Sequence, residues 1–164
     1  MKFYKKIILA TISVFAVSNS ALAGTVKIAG FDYGTTLTSD AIVLPSGNTL
    51  MKQHTQVIMI VEGLPEGFPS MNSASCEYMG LSSPEYANLG FTISCVVTDI
   101  DGDGFIIAGG DTNPDWSGCQ VKSVAGWGKY SGTTRSGNCI FVGNVTADGN
   151  QWVAKWSADF TTPD

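Results

Sequence analysis

Asp99, Asp101, Asp103 and the following Gly104 form a run that could hold a hard cation. Calcium loops use this spacing because alternate carboxylates converge on one ion while a glycine permits the sharp turn. The second half of that pattern is missing. Its twelfth position falls on Gly110 instead of a bidentate glutamate, and the residues before Asp99 read as a strand, not a helix. A polar β-hairpin turn calls for the same Asp and Gly residues and is the simpler reading. No cofactor is predicted beyond this calcium option.

The tryptophans Trp116, Trp127, Trp152 and Trp156 all fall in the last third of the chain, with Tyr130 among them. Aromatic faces beside Asp and Asn side chains can line a pocket for a small apolar or sugar ligand. Trp152 and Trp156 alternate with alanines and read as core. Trp116, in a Pro-Asp-Trp-Ser-Gly loop, and Trp127, in a turn, are expected near a barrel mouth. With Tyr130 they are the predicted ligand contacts.

Nucleophilic catalysis finds little support. The single histidine, His54, lies inside a strand pattern, and no G-x-S-x-G elbow is present. Acid/base pairs could be assembled from Glu62, Glu66, Glu77, Glu85 and the aspartates, but sequence does not say which of them meet. No catalytic residue is predicted.

Cys76, Cys95, Cys119 and Cys139 are the cysteines, an even number that suits an exported chain. Three pairings are open. Sequential pairs, Cys76 with Cys95 and Cys119 with Cys139, suit neighbouring strands joined by hairpins. Each would contribute about 3 kcal/mol by restricting the unfolded chain. A zinc site fits poorly, since the spacing is not C-x-x-C and His54 is distant in sequence.

Residues Met1 to Ala23 combine Lys2, Lys5 and Lys6, an apolar run from Ile7 to Val17 and a small-residue end, Ala21-Leu22-Ala23. That is the layout of a cleaved secretory signal, too short in its apolar part to span a bilayer. The expected product, Gly24 to Asp164, is one ordinary domain in length, periplasmic or extracellular. The whole chain carries a formal net charge of −5, and loss of three lysines makes it more acidic. Its remaining bases are scattered, so a nucleic-acid partner is not expected.

The periodicity that must position these residues is two. Thr25–Phe31 alternates, Leu50–Val61 is a long strand with Val57, Met59 and Val61 on one face, and Phe91–Thr98 places Phe91, Ile93, Cys95 and Val97 together. Phe105–Ala108 returns after the Asp99–Gly104 turn. Asn138–Val145 and Gln151–Phe160 close the chain, the latter with Trp152, Ala154, Trp156, Ala158 and Phe160 on one face. Gly34–Asn48 reads as turns around a short strand at Ala41–Leu44. The fold class is therefore all-β, a single antiparallel β-barrel of about eight strands, with a β-sandwich as the alternative. The loops, the disulfides and the lack of paired aromatic girdles argue against a membrane-spanning barrel.

Three segments in this order, TDIDGDG (Thr98–Gly104), AGWGKYSGTTRSG (Ala125–Gly137) and DGNQWVAKWSADF (Asp148–Phe160), resemble a group of small exported bacterial proteins. The glycine segment is also similar to the G-T-G-K-F-type stretch of the dirigent and allene oxide cyclase barrels. This resemblance spans roughly residues 76 to 160 and implies a closed antiparallel barrel. It carries no catalytic residue over to this chain. Three functions follow as expectations: a non-catalytic carrier of a small apolar or aromatic ligand, a dirigent- or cyclase-type enzyme or auxiliary, and a structural or interaction protein with a filled barrel.

Overall fold

The computed structural model describes residues 24–86, 89–113 and 117–163. Eight strands run in chain order: β1 (Thr25–Val43), β2 (Thr49–Glu62), β3 (Met71–Ser82), β4 (Gly90–Thr98), β5 (Gly104–Asp111), β6 (Gln120–Trp127), β7 (Thr134–Asn144) and β8 (Gln151–Thr161). Each pairs antiparallel with the next, and β8 returns to β1, so the sheet is a closed up-and-down barrel and not a sandwich. Closure removes the free edges that an open sheet of these strands would present. The one helical element among the described residues is a single 3-10 turn, Gly128–Tyr130.

Two-residue periodicity sends one face of every strand into the barrel. On β2, Thr55, Val57, Met59 and Val61 are buried while Gln56, Ile58, Ile60 and Glu62 face out. On β8 the predicted face, Trp152 through Phe160, points inward, and Phe160 is fully buried. Strand β1 differs from expectation. The Thr- and Gly-rich stretch after Tyr33 is not a set of turns but continues the strand to Val43, paired with β2 throughout. A register shift between Thr36 and Thr38 absorbs the irregularity, and the turn proper is confined to Leu44–Asn48. Threonine is a good strand former, and pairing with a long neighbour overrides the local turn signal.

Both cysteine pairings form as predicted. Cys76 and Cys95 lie directly opposite each other on β3 and β4, and Cys119–Cys139 joins the start of β6 to β7. The second staple matters because the β6–β7 seam is short. Its register runs through Gln120–Asn138, Val121–Gly137 and Lys122–Ser136 and then ends. Beyond that point the Ser123 hydroxyl accepts the Arg135 backbone N–H at 2.8 Å, replacing the lost ladder.

The two ends of the barrel are unlike. At the end carrying the β2–β3, β4–β5 and β6–β7 connections, Phe68 folds in against Tyr130 and Phe160, with ring centroids 5.2 and 5.0 Å apart. Phe105 packs on Tyr130 at 5.1 Å. These rings close that end. The opposite end, reached by the β1–β2, β3–β4, β5–β6 and β7–β8 connections, is open.

Candidate functional site

A cavity of about 300 Å³ occupies the open half of the barrel. Its walls are mostly apolar, with Val57, Ile93, Ile107, Val121 and Phe141 among them, and the Cys119–Cys139 bridge lines it as well. Gln53, Tyr78 and Asn144 add polar groups, and Phe91 stacks on Tyr78 at 5.3 Å. Burial pushes the Tyr78 hydroxyl up to about 12, so it stays protonated and can donate.

The lumen is open because two indoles lie along its wall instead of across it. Gly30 and Gly34 of β1 face Trp156 and Trp152 in register on β8. A Cβ at Gly34 would overlap the Trp152 ring, and one at Gly30 would overlap Trp156. Bare backbone at these positions lets each indole rest against β1. The four-residue spacing of Gly30 and Gly34 thus matches that of Trp152 and Trp156.

Between the two glycines stands Asp32, the one acidic side chain among those lining the lumen. The Trp156 indole N–H donates to its Oδ1 at 2.8 Å. Asp32 is partly buried, and the surface it retains opens into the cavity it lines. Burial raises its carboxyl from the ordinary value to about 7, against the opposing pull of the Trp156 hydrogen bond. It can therefore hold or release a proton near neutrality.

Arg135 lines the cavity from the start of β7, close to the closed end. Its guanidinium lies 3.8 Å from the Phe105 ring centroid and 4.8 Å from that of Phe160. Burial lowers its pKa to about 10, with Tyr130 pulling the other way, and it remains a cation at neutral pH.

The residues singled out by sequence fall elsewhere. Asp99, Asp101 and Asp103 are brought together, around an ammonium. Lys129 Nζ lies 3.1 Å from Asp99, 2.7 Å from Asp101 and 3.9 Å from Asp103. Burial alone would raise the Asp99 carboxyl, but the Lys129 ammonium beside it and hydrogen bonds from the amides of Asp101 and Asp103 outweigh it and hold it below its usual range. Among the described residues no group of three or more His, Cys, Asp or Glu side chains is arranged to hold a metal. The run is a hairpin turn whose negative charge Lys129 partly offsets.

Trp127 and Tyr130 belong to the closed end, not to the mouth where they were expected. The Trp127 indole donates to the Gly102 carbonyl at 2.9 Å, covering the acidic turn. Tyr130 is wholly buried, its hydroxyl donating to Asn72 Oδ1 at 3.2 Å. Both follow from the 3-10 turn between β6 and β7, which opens at Gly128 with a φ of 62°. A side chain there would run into Asp103. Trp116 lies outside the described residues. His54 pairs with Glu77 at 3.0 Å on exposed surface, away from the lumen.

Sequence reading passed over Asp32 and Arg135. Continuing the Val26–Ile28 alternation through Gly30, Asp32 and Gly34 would have put an acid on the inner face, had the strand not been ended early. Arg135 is the only arginine in the chain, set in the glycine segment, where by sequence it is one of several scattered bases.

Neither a protein-family model nor a curated protein matches the chain. Among solved structures, it is similar to that of the pterocarpan synthase dirigent protein GePTS1, with a TM-score of 0.52 at 12% identity, covering 100% of both chains. At that identity the likeness shows the fold alone: this is a dirigent-like barrel.

Proposed function

We propose that this protein is exported and binds a small, largely apolar organic molecule in the open half of its barrel, with Asp32 as the polar contact of the wall. The observation that carries this reading is the lumen: about 300 Å³, lined mainly by carbon, with a few polar groups aimed into it. That is the common form of a small-molecule site. Export is supported by the signal-like residues 1 to 23, which lie outside the described structure, and by the two disulfides. Trp116, outside the described residues, stays a proposed ligand contact on the strength of its Pro-Asp-Trp-Ser-Gly sequence alone. Trp127 and Tyr130 are proposed to act through the floor they hold in place.

Native mass spectrometry of the purified protein, disulfides intact, tests the reading. A co-purified organic mass, or adducts with added aromatic probes that quench Trp fluorescence, is the expected result. A bare mass and no fluorescence response to any probe would leave a structural or interaction role.

A second reading, enzyme or auxiliary of the dirigent or cyclase type, is favoured by Asp32. An acid with a pKa near 7 in a mostly apolar cavity can move a proton to or from a bound intermediate. Its mark is a ligand that leaves the protein chemically altered, with Asp32→Asn abolishing the alteration while binding persists. A ligand recovered unchanged from wild type removes this reading and keeps the first.

A further inference from the structure

We infer that the ligand of the lumen is an organic anion, a carboxylate on an apolar or aromatic body, bound with its charged head toward Arg135 at the floor. This rests on the lumen being a binding site, and it names the chemical class that the site takes. Arg135 is 7% exposed and lines the cavity. Its Nε and Nη2 have no hydrogen-bond partner, and among the described residues no carboxylate lies within ion-pair distance of it.

A buried guanidinium is ordinarily matched by an anion, because removal from water is compensated only by an opposite charge and by acceptors for its N–H groups. The rings of Phe105, Phe160 and Tyr130 beside it, at 3.8, 4.8 and 5.4 Å, compensate part of the charge. Rings accept none of its in-plane N–H bonds. Nε–H and Nη2–H form one edge of the guanidinium and point the same way, spaced as the two oxygens of a carboxylate are. These are the two nitrogens left without acceptors. In the present structure that edge is packed against protein, so receiving the head takes a turn of the Arg135 side chain toward the lumen.

Asp32 does not fill this role. It is held by Trp156 on the β1–β8 wall and makes no ion pair with Arg135. An anion at the floor would place its apolar body against Val57 and Ile107 and run it past Trp152 toward the open end. A cavity of this size suits a single ring or a short chain better than a long lipid tail.

The single arginine makes the test direct, since its Nε–H gives one unambiguous nitrogen-15 signal. The probes are 3-phenylpropionate and its neutral isostere, 3-phenylpropanamide, titrated into the disulfide-intact protein. The expected result is that both probes shift Trp indole signals, only the acid shifts the arginine signal, and the acid binds about tenfold or more tightly. Arg135→Gln should reduce that preference to about one; if this variant does not fold, the wild-type titration stands by itself. Equal affinities with an unmoved arginine signal overturn the anion and leave the lumen site standing. An arginine signal shifted by chloride alone, with no preference between acid and amide, overturns it too. Silence of arginine and indoles toward both probes overturns the anion and the lumen site together.

Discussion

The two halves of this barrel use the same strands and the same inward alternation, yet one is packed and the other is open. In the closed half, Phe68, Phe105, Tyr130 and Phe160 meet ring to ring, and a lysine ringed by carboxylates caps the hairpin turn outside them. In the open half, residues just as large, Trp152 and Trp156, leave a cavity because glycines stand opposite them. Residue size alone does not determine whether a barrel is filled; the partner across the strand pair does.

The contrast is broken most severely at the closed end. Phe160→Ala removes a fully buried ring from between β1, β8 and the Phe68 loop, and a loss of about 3 to 5 kcal/mol is expected in the denaturant midpoint. Phe141→Ala, on a residue of the open half that is 42% exposed, should cost less than half as much. Equal losses would mean that the open half is packed as tightly as the closed one.

Next in size is the seam. Replacing Cys119 and Cys139 together by serine should cost about 3 kcal/mol and raise hydrogen exchange first along β6 and β7, where the ladder is shortest. A uniform rise over all strands would contradict a weak seam.

Gly34→Ala acts on the open half. The new methyl must push the Trp152 indole off the β1 wall, so stability should fall by about 1 to 3 kcal/mol and bound probe should be lost as the lumen narrows. Unchanged probe affinity would show that Trp152 does not shape the site.

Asp32 then ties stability to pH. Its folded pKa, about 7, lies above the ordinary carboxylate value, so the folded state favours the protonated form. The contribution is fully present below about pH 4 and is lost as pH rises through 7. Asp32→Asn should therefore melt about 5 °C or more above wild type at pH 8, with the gap closing below pH 4. A gap that is independent of pH would mean that Asp32 is not desolvated.

The smallest effect is expected at the acidic turn. Calcium and chelators should both leave the melting temperature and Trp fluorescence unchanged, since Lys129 already sits among Asp99, Asp101 and Asp103. A calcium-dependent rise in melting temperature would restore that turn as a cation site.

Much of the architecture was legible without coordinates. Alternation on β4 and β8 gathered apolar residues on the face that turns inward, and cysteine spacings suited to hairpin neighbours favoured, among three pairings, the one that forms. Trp127 and Tyr130, expected near a mouth, lie at the closed end. Trp127 ends β6 and Tyr130 lies in the turn that follows; turns are usually exposed, but this one folds its tyrosine back under the barrel.

What the sequence determined by itself was local in origin: strand periodicity, turn chemistry, an all-β chain, an even set of cysteines and a signal-like start. The site belongs to the tertiary structure. Asp32 and Trp156 are remote in sequence, and their meeting depends on β8 closing against β1 with Trp156 opposite Gly30. A one-residue slip in that register would turn the indoles to the other face and leave Asp32 without its donor, because side chains alternate along every strand. That register is set by contacts between the two ends of the chain, where no local pattern reaches.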